Sequence, residues 1–287
     1  MSDTAFQTQY RREFISIFEQ NKSLLAESVT TEAVVRGNTA TFLVAGSGAA
    51  GSPATAVTRG VNGFIPARVD SQTQSSATLQ EWHDLTRRTN FNVFASQGDQ
   101  RRLMQMTTVG TINRKIDADI ISVLTTGTQT TGTASTASMR LALYAKTILG
   151  NASVPFDGNI TAVITPAFEA YLLQAPEFSN ADYVTRKPIQ SGETAWSDIP
   201  GYYQWIGVKW IVHPNLTGAG TSAEECYMYH KNAVGHAVDT AGMESPVGYD
   251  SEQGYSWARC SVHMGSVKLQ NTGIVVIAHD GSDFAAV

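Results

Sequence analysis

The sequence predicts an α+β fold that is organised around one long helix. Between Ser96 and Gly127, apolar residues recur every three or four positions, which places them on one face of an α-helix. Before this segment, Ala33 to Ala45 shows period-two alternation with β-branched residues, which is typical of strands. After it, short apolar strands alternate with helical segments, which is typical of an α/β region.

The long helix has recognisable ends. Ser96 or Asp99 can cap its N-terminus, and Gly127 can end it. About 28 residues reach about 40 Å at 1.5 Å per residue. Because one apolar stripe cannot form a core alone, other segments must pack along it. The stripe comprises Leu103, Met106, Val109, Ile112, Ile116, Ile120, Val123 and Leu124.

The chain before this helix predicts an amphipathic arm and then a long two-stranded excursion. The arm, which packs in a local core or on a neighbouring subunit, carries a helical aromatic stripe. A turn at Gly37-Asn38 and strand-like segments at 77–80 and 91–95 define the excursion. Its tip, Gly46 to Gly63, is rich in small residues and lacks periodicity. A ribbon of this size is only marginally stable by itself, so it must lie on something else. The aromatic stripe of the N-terminal arm consists of Phe6, Tyr10, Phe14, Ile17 and Phe18.

The chain after the long helix alternates helices and strands. Ser138 to Leu149 predicts a helix closed by Gly150, and Thr165-Pro166 predicts the N-cap and first residue of another that reaches Leu173. Asn232 to Val238 fits either a short helix or a strand. The predicted strands are Ile160–Ile164, Val208–Val212, Cys226–Tyr229, Ala258–Met264 and Gly273–Ala278.

Composition narrows the class of protein. Of 287 residues, 42% are hydrophobic and only 16% are charged, against an ordinary charged fraction of about 25%. Such a surface is typical of a stable β-rich protein or of a subunit covered by its own copies. A net charge of -5 argues against sequence-independent nucleic-acid binding. The sequence has no signal peptide or long apolar run, which predicts a cytosolic chain with Cys226 and Cys260 reduced.

Two motifs suggest ligands. Gly46 to Gly51 spells GxGxxG after a predicted strand, and Asp70 follows about 20 residues later, as a dinucleotide site requires. The helix that should hold the pyrophosphate is not predicted after Ser52-Pro53. Cys226, His230, Cys260 and His263 offer a zinc ligand set, but their spacing fits no known zinc motif. We therefore predict no cofactor and no metal.

No catalytic constellation stands out. The sequence lacks a GxSxG elbow, a P-loop and an HExxH motif. Asp117 and Asp119 lie on different sides of the long helix, so they do not form a catalytic carboxylate pair. We expect them to form ion pairs with Arg114 and Lys115 on the same helix. The prediction is a non-enzymatic protein without catalytic residues.

Three stretches resemble the major capsid proteins of tailed bacteriophages with the Hong Kong-type fold. Asn113 to Leu124 (NRKIDADIISVL) looks like the spine helix of that family. Tyr227 to Val234 (YMYHKNAV) looks like its strand followed by His-Lys and an apolar segment, and Gly265 to Ile277 (GSVKLQNTGIVVI) looks like its closing strand. The resemblance spans nearly the whole chain and depends on the order of these segments.

The resemblance implies a role for each segment. Residues 1–35 would be the N-terminal arm, 36–95 the extended β-hairpin loop, and 96–130 the spine helix of the peripheral domain. Residues 131–250 would form the axial domain, and 251–287 would return to the peripheral sheet. Such subunits assemble into hexamers and pentamers of an icosahedral shell around phage double-stranded DNA. The protein would then be built in the bacterial cytoplasm and reside in the virion.

The resemblance also implies partners and leaves alternatives. A separate scaffolding protein, a portal and possible decoration proteins are expected, with no membrane. Gly46 to Arg68 contains no lysine, which argues against the covalent cross-link that some members form. Thr107 to Gly110 weakens the helix, so a bend near Gly110 is predicted. The alternatives are an encapsulin-type compartment shell and a dinucleotide-binding enzyme that uses Gly46–Gly51.

Overall fold

A computed structural model describes residues 22–32, 35–48, 52–68, 70–89, 92, 100–175, 184–185, 203–239 and 242–284. The predicted aromatic arm lies outside the described residues. Most of the predicted strand at 91–95 does too, and its one described residue, Asn92, is helical.

Besides Asn92 and short 3-10 turns, the described residues form three α-helices and a series of mostly short strands. The helices are α1 (Gln100–Leu124), α2 (Met139–Asn151) and α3 (Pro166–Gln174). The strands are β1 (Thr30–Glu32), β2 (Val35–Arg36), β3 (Thr39–Gly46), β4 (Ser71–Thr78), β5 (Gln80–Thr89), β6 (Gln129–Thr130), β7 (Ile160–Ile164), β8 (Val184–Thr185), β9 (Tyr203–Trp205), β10 (Val208–Val212), β11 (Glu224–His230), β12 (Val234–Val238), β13 (Val247–Asp250), β14 (Tyr255–Lys268) and β15 (Ile274–His279).

The chain divides into two compact units. Besides the N-terminal segment, the smaller unit contains Gln80–Ile116 and Ala241–His263. The larger unit contains Leu24–Leu79, Asp117–Thr240 and Met264–Val287. Both α1 and β14 therefore contribute residues to each unit.

A seven-stranded sheet forms the centre of the larger unit, in the order β6-β15-β11-β7-β10-β9-β8. β11 pairs antiparallel with both β15 and β7, whereas β7 and β10 are parallel. Every residue of β7 is buried. This confirms the predicted strand at Ile160–Ile164, whose continuous apolar run is typical of a strand covered on both faces.

Side-chain caps begin two helices of the larger unit. The Ser138 hydroxyl accepts the backbone N–H of Leu141, and the Thr165 hydroxyl accepts that of Phe168. Both predicted helix starts are thus confirmed. Gly150 does not end α2 as predicted, because the helix continues to Asn151.

The larger unit also contains two smaller groups of paired strands. β2, β3 and β4 form an antiparallel sheet, with the predicted turn at Gly37-Asn38 between β2 and β3. β1 runs parallel to β12, which pairs with Met264 to Lys268 of β14. Asn232 to Val238 holds the end of a 3-10 turn followed by β12, so both predicted structures occur there.

The described part of the long helix is shorter than predicted. α1 begins at Gln100, and both predicted N-caps lie outside the described residues. It ends at Leu124, two turn residues before Gly127, the glycine predicted to stop it, whose N–H donates to the Leu124 carbonyl. Helical structure continues through Gly110 without a break. The Thr107 and Thr111 hydroxyls bond to carbonyls one turn earlier, an arrangement that often bends helices. The bend at Gly110 stays a prediction.

In the smaller unit, β5 and β13 each pair with β14. The Lys115 ammonium lies 3.9 Å from the centre of the Trp82 ring. The Lys115–Asp119 ion pair predicted from helical spacing is therefore wrong, because a cation–π contact satisfies the lysine instead.

Among the described helices, none is long and apolar enough to cross a membrane.

Candidate functional site

The β3–β4 hairpin is the candidate assembly surface, and its root is part of the core. Eight residue pairs join the strands, from Thr39↔Thr78 to Gly46↔Ser71. Near the first of these pairs, the buried residues Ala40, Phe42 and Ala77 cluster with Ala237 of β12. The hairpin is therefore anchored at one end by apolar burial.

Two glycines allow this close packing. A Cβ at Gly265 would lie 2.4 Å from the Thr78 carbonyl oxygen, and a Cβ at Gly235 would lie 2.9 Å from the Phe42 ring. Neither approach leaves room for a side chain, because interiors are close-packed. The sequence alone does not indicate this role, since nothing local distinguishes these glycines from those of turns.

The distal part of the hairpin is exposed and apolar. The exposed fractions are 71% for Leu43, 67% for Val57, 78% for Phe64 and 74% for Ile65. Val61 is fully exposed. Apolar side chains concentrated in one surface segment mark an interaction site more often than scattered ones do. We call Val57, Val61, Phe64 and Ile65 the tip cluster.

A local turn holds part of the tip. Gly60 N–H donates to the Phe64 carbonyl at 3.0 Å, and Gly63 N–H donates to the Gly60 carbonyl at 2.9 Å. The Arg59 guanidinium donates to the Gly63 carbonyl, and Arg68 pairs with Asp70 at 2.6 Å. Arg59 and Arg68 thus bond to groups within the loop, while the apolar side chains of the tip are exposed. This arrangement suits non-covalent contact.

The dinucleotide motif lacks its structural context. Gly46 ends β3, and the described residues after the motif, 52–68, contain no helix. Asp70, the expected ribose ligand, pairs with Arg68 instead. Without a helix N-terminus there is no dipole or row of N–H groups to hold a pyrophosphate.

The four zinc candidates are not brought together. Cys226 and His230 belong to β11 in the larger unit, whereas Cys260 and His263 belong to β14 residues of the smaller unit. Burial raises the pKa of the Cys226 thiol to about 12, so this residue stays protonated. In the part of the chain that the structure describes, no cluster of three potential metal ligands occurs.

Asp117 and Asp119 have structural partners that the helical spacing did not indicate. The Asp117 carboxylate is buried and accepts two backbone N–H groups, from Leu24 and Leu25. Asp119 accepts a hydrogen bond of 2.6 Å from the Ser266 hydroxyl. Both contacts join residues more than 90 positions apart, so no sequence signal predicted them.

A second buried carboxylate fixes the end of β15. Glu224 Oε2 lies 2.7 Å from the Thr165 hydroxyl and 2.6 Å from His279 Nδ1, and Oε1 accepts the Gly220 N–H. A Cβ at Gly281 would collide with this carboxylate. Thr165, Glu224 and His279 are all buried, and their contacts hold strands of the larger unit together.

Comparisons with known proteins agree with this architecture. A family model described as phage capsid protein matches residues 2–281. A Mycobacterium phage Che8 structure shares 15% identity at a TM-score of 0.70, with 96% of this chain and 98% of that chain covered. The capsid of Ralstonia phage GP4 shares 12% identity at a TM-score of 0.70, with coverages of 97% and 96%.

A third structure, the Cyanophage Pam1 capsid, shares 11% identity at a TM-score of 0.69 and covers 98% of each chain. A search of curated proteins gave no significant match. The structural matches confirm the predicted Hong Kong-type capsid fold over almost the full chain.

Proposed function

Because the chain belongs to the phage capsid protein family, we propose that it is a major capsid protein that assembles into hexamers and pentamers of an icosahedral shell. The shell would enclose double-stranded DNA, and the protein would act structurally instead of catalytically. The observation that carries this proposal is the hairpin, whose root is buried while its tip cluster is exposed. A second copy would bury those apolar groups.

The proposed division of labour follows the order of segments. Residues 1–35 act as the N-terminal arm, 36–95 as the extended loop and 96–130 as the spine helix. Residues 131–250 form the axial domain, and 251–287 return to the peripheral domain. We propose that assembly occurs in the bacterial cytoplasm with a separate scaffolding protein and a portal, and that the finished shell is part of the virion.

Replacement of the tip tests the proposal. Gly46 and Ser71 are paired, so residues 47–70 can be replaced by a two-residue Asn-Gly turn that suits an antiparallel hairpin. We expect the shortened chain to fold but to form no shells by electron microscopy, whereas the unaltered chain forms them. Shells of normal yield and stability from the shortened chain would overturn the role of the tip.

We also propose that α1 bends near Gly110 and that this bend differs between immature and expanded shells. Immature and expanded shells imaged side by side should show α1 with different curvature near this residue. A helix that is straight through Gly110 in every subunit of both shells would rule the bend out.

A further inference from the structure

The turn that carries part of the tip cluster contains an asparagine–glycine pair. Asn62 is the one asparagine in the sequence that a glycine follows, and it lies between the tip residues Val61 and Phe64. Asn62 and Gly63 are both exposed. A Cβ at Gly63 would meet nothing within 4 Å. The Gly63 backbone nitrogen therefore has neither its own side chain nor a packed neighbour to separate it from the Asn62 amide.

Hydrogen bonds of the same turn restrain that nitrogen. Gly63 N–H donates to the Gly60 carbonyl at 2.9 Å, and Gly60 N–H donates to the Phe64 carbonyl at 3.0 Å. The Arg59 guanidinium donates to the Gly63 carbonyl at 3.2 Å. Gly63 has a φ of 77, the left-handed conformation that often follows such a turn. Because all these bonds lie on the surface, each contributes little, and the turn opens more easily than the core.

We propose that Asn62 is a site of spontaneous deamidation and that opening of the turn at residues 60–64 sets its rate. In the open turn, the Gly63 nitrogen attacks Cγ of Asn62, and the side-chain amide leaves as ammonia together with the proton of the Gly63 N–H. Water then opens the resulting five-membered succinimide at one of its two carbonyls, which yields aspartate or isoaspartate. The reaction consumes one water molecule and needs no other reactant.

Deamidation changes the tip in two ways. Both products carry a carboxylate where the tip had a neutral amide, beside the exposed side chains of Val61 and Phe64. Isoaspartate also lengthens the main chain by one carbon atom between these two residues. Since burial of an unpaired carboxylate is costly, a deamidated tip should contact a second copy poorly. This consequence rests on the proposed function, whereas the deamidation itself does not.

Peptide mapping of the free full-length subunit during prolonged incubation tests the site. Trypsin yields the peptide 60–68, which contains Asn62, and the peptide 37–59, which contains Asn38. Asn38 is an internal control, because it is exposed in the same hairpin but is followed by the β-branched Thr39. We expect Asn62 to give aspartate and isoaspartate at least tenfold faster than Asn38 does. Equal rates at the two asparagines, or aspartate without isoaspartate, would overturn the proposal.

Substitution of Arg59 tests the control by the turn. Arg59→Gln removes the side-chain bond to the Gly63 carbonyl, and conversion should become about threefold faster, the size expected for one exposed hydrogen bond. Arg68→Gln is the matched control, because it removes a cation of the same loop that pairs with Asp70. Its rate should equal that of the unaltered chain. Tandem mass spectrometry assigns each asparagine in the longer peptides of both variants. Equal rates in all three proteins would contradict the role of the turn.

Shell assembly tests the consequence for the tip. Asn62→Asp introduces the carboxylate of one product, and Asn62→Gln is the neutral control because it keeps an amide at this position. We expect Asn62→Asp to lower shell yield about tenfold relative to Asn62→Gln. Equal yields would overturn the effect of charge on the tip. If the unaltered chain forms no shells, the proposed function fails, while peptide mapping still decides whether Asn62 is deamidated.

Discussion

The seven-stranded sheet and the tip of the β3–β4 hairpin contain similar apolar residues in opposite environments. In β7, isoleucine and valine side chains are completely buried. In the tip cluster, valine, isoleucine and phenylalanine are mostly exposed. The apolar side chains of β7 are therefore buried within one chain, whereas in the hairpin only those at the root are buried. Apolar surface that the subunit cannot bury itself is available for contact with another copy.

The contrast also separates the stability of the folded subunit from the stability of contacts between copies. Burial of one large apolar side chain contributes about 1.5–3 kcal/mol. In the sheet this contribution belongs to folding of the subunit, while at the tip it would become available only through the proposed contact with another copy. Substitutions in the two regions should therefore affect different measurements.

The largest effect on folding is expected in the sheet. Trp210 of β10 is fully buried, and its indole N–H donates to the Trp205 carbonyl at 3.2 Å. Trp210→Ala should lower the free energy of unfolding by about 3–5 kcal/mol, because it removes packing and leaves a cavity. Urea unfolding of the free subunit measures this change. A loss below about 1 kcal/mol would show that the sheet is not the stable part.

A smaller effect is expected at the root of the hairpin. Gly265→Ala should lower the free energy of unfolding by about 1–3 kcal/mol, because the new methyl group meets the Thr78 carbonyl. Gly46→Ala is the control, since its Cβ would have only ordinary contacts at the far end of the same hairpin. The two variants should differ in a urea titration. Equal stabilities would contradict the tight packing of the root.

Stability of the larger unit should also depend on pH through His236. Burial lowers the pKa of this histidine despite the opposing influence of Asp119 and Asp117. The unfolded chain then binds the proton more readily, with a pKa of about 6.5. The free energy of unfolding that depends on a neutral His236 is therefore fully present above that pH. It falls as the pH drops below that value, by up to about 1.4 kcal/mol per pH unit.

Urea titrations at pH 7.5 and 5.5 measure this dependence, and His236→Gln supplies the comparison. The variant should lose less stability between the two pH values than the unaltered chain. The same pH slope in both proteins would show that another group is responsible.

The smallest effect on folding is expected at the tip. Phe64→Ser combined with Ile65→Ser should change the free energy of unfolding by less than about 0.5 kcal/mol, because both side chains are already exposed. Shell yield should nevertheless fall strongly, which sedimentation and electron microscopy can measure. Thr58→Ser within the same loop should leave yield unchanged. A strongly destabilised but assembling double variant would reverse the contrast between sheet and tip.

The sequence alone predicted those elements whose signals are local. Thr165-Pro166 starts α3 because a hydroxyl cap and a proline act within one turn. The apolar run Ile160–Ile164 predicts a buried strand for the same reason, and the order of segments indicated the capsid fold. The glycine-rich tip is predicted to be a loop because it lacks any hydrophobic period.

The tertiary structure decided features that depend on distant partners. β4 (SQTQSSAT) has no apolar alternation and becomes a strand because β3 pairs with it. Asp117 lies within a helix pattern that predicted a surface ion pair, yet its described contacts include the backbone of Leu24 and Leu25. Residues so far apart in sequence meet only after folding. Local pattern therefore determined elements such as α3 and β7, whereas pairing and packing between distant residues determined β4 and the partners of buried polar groups.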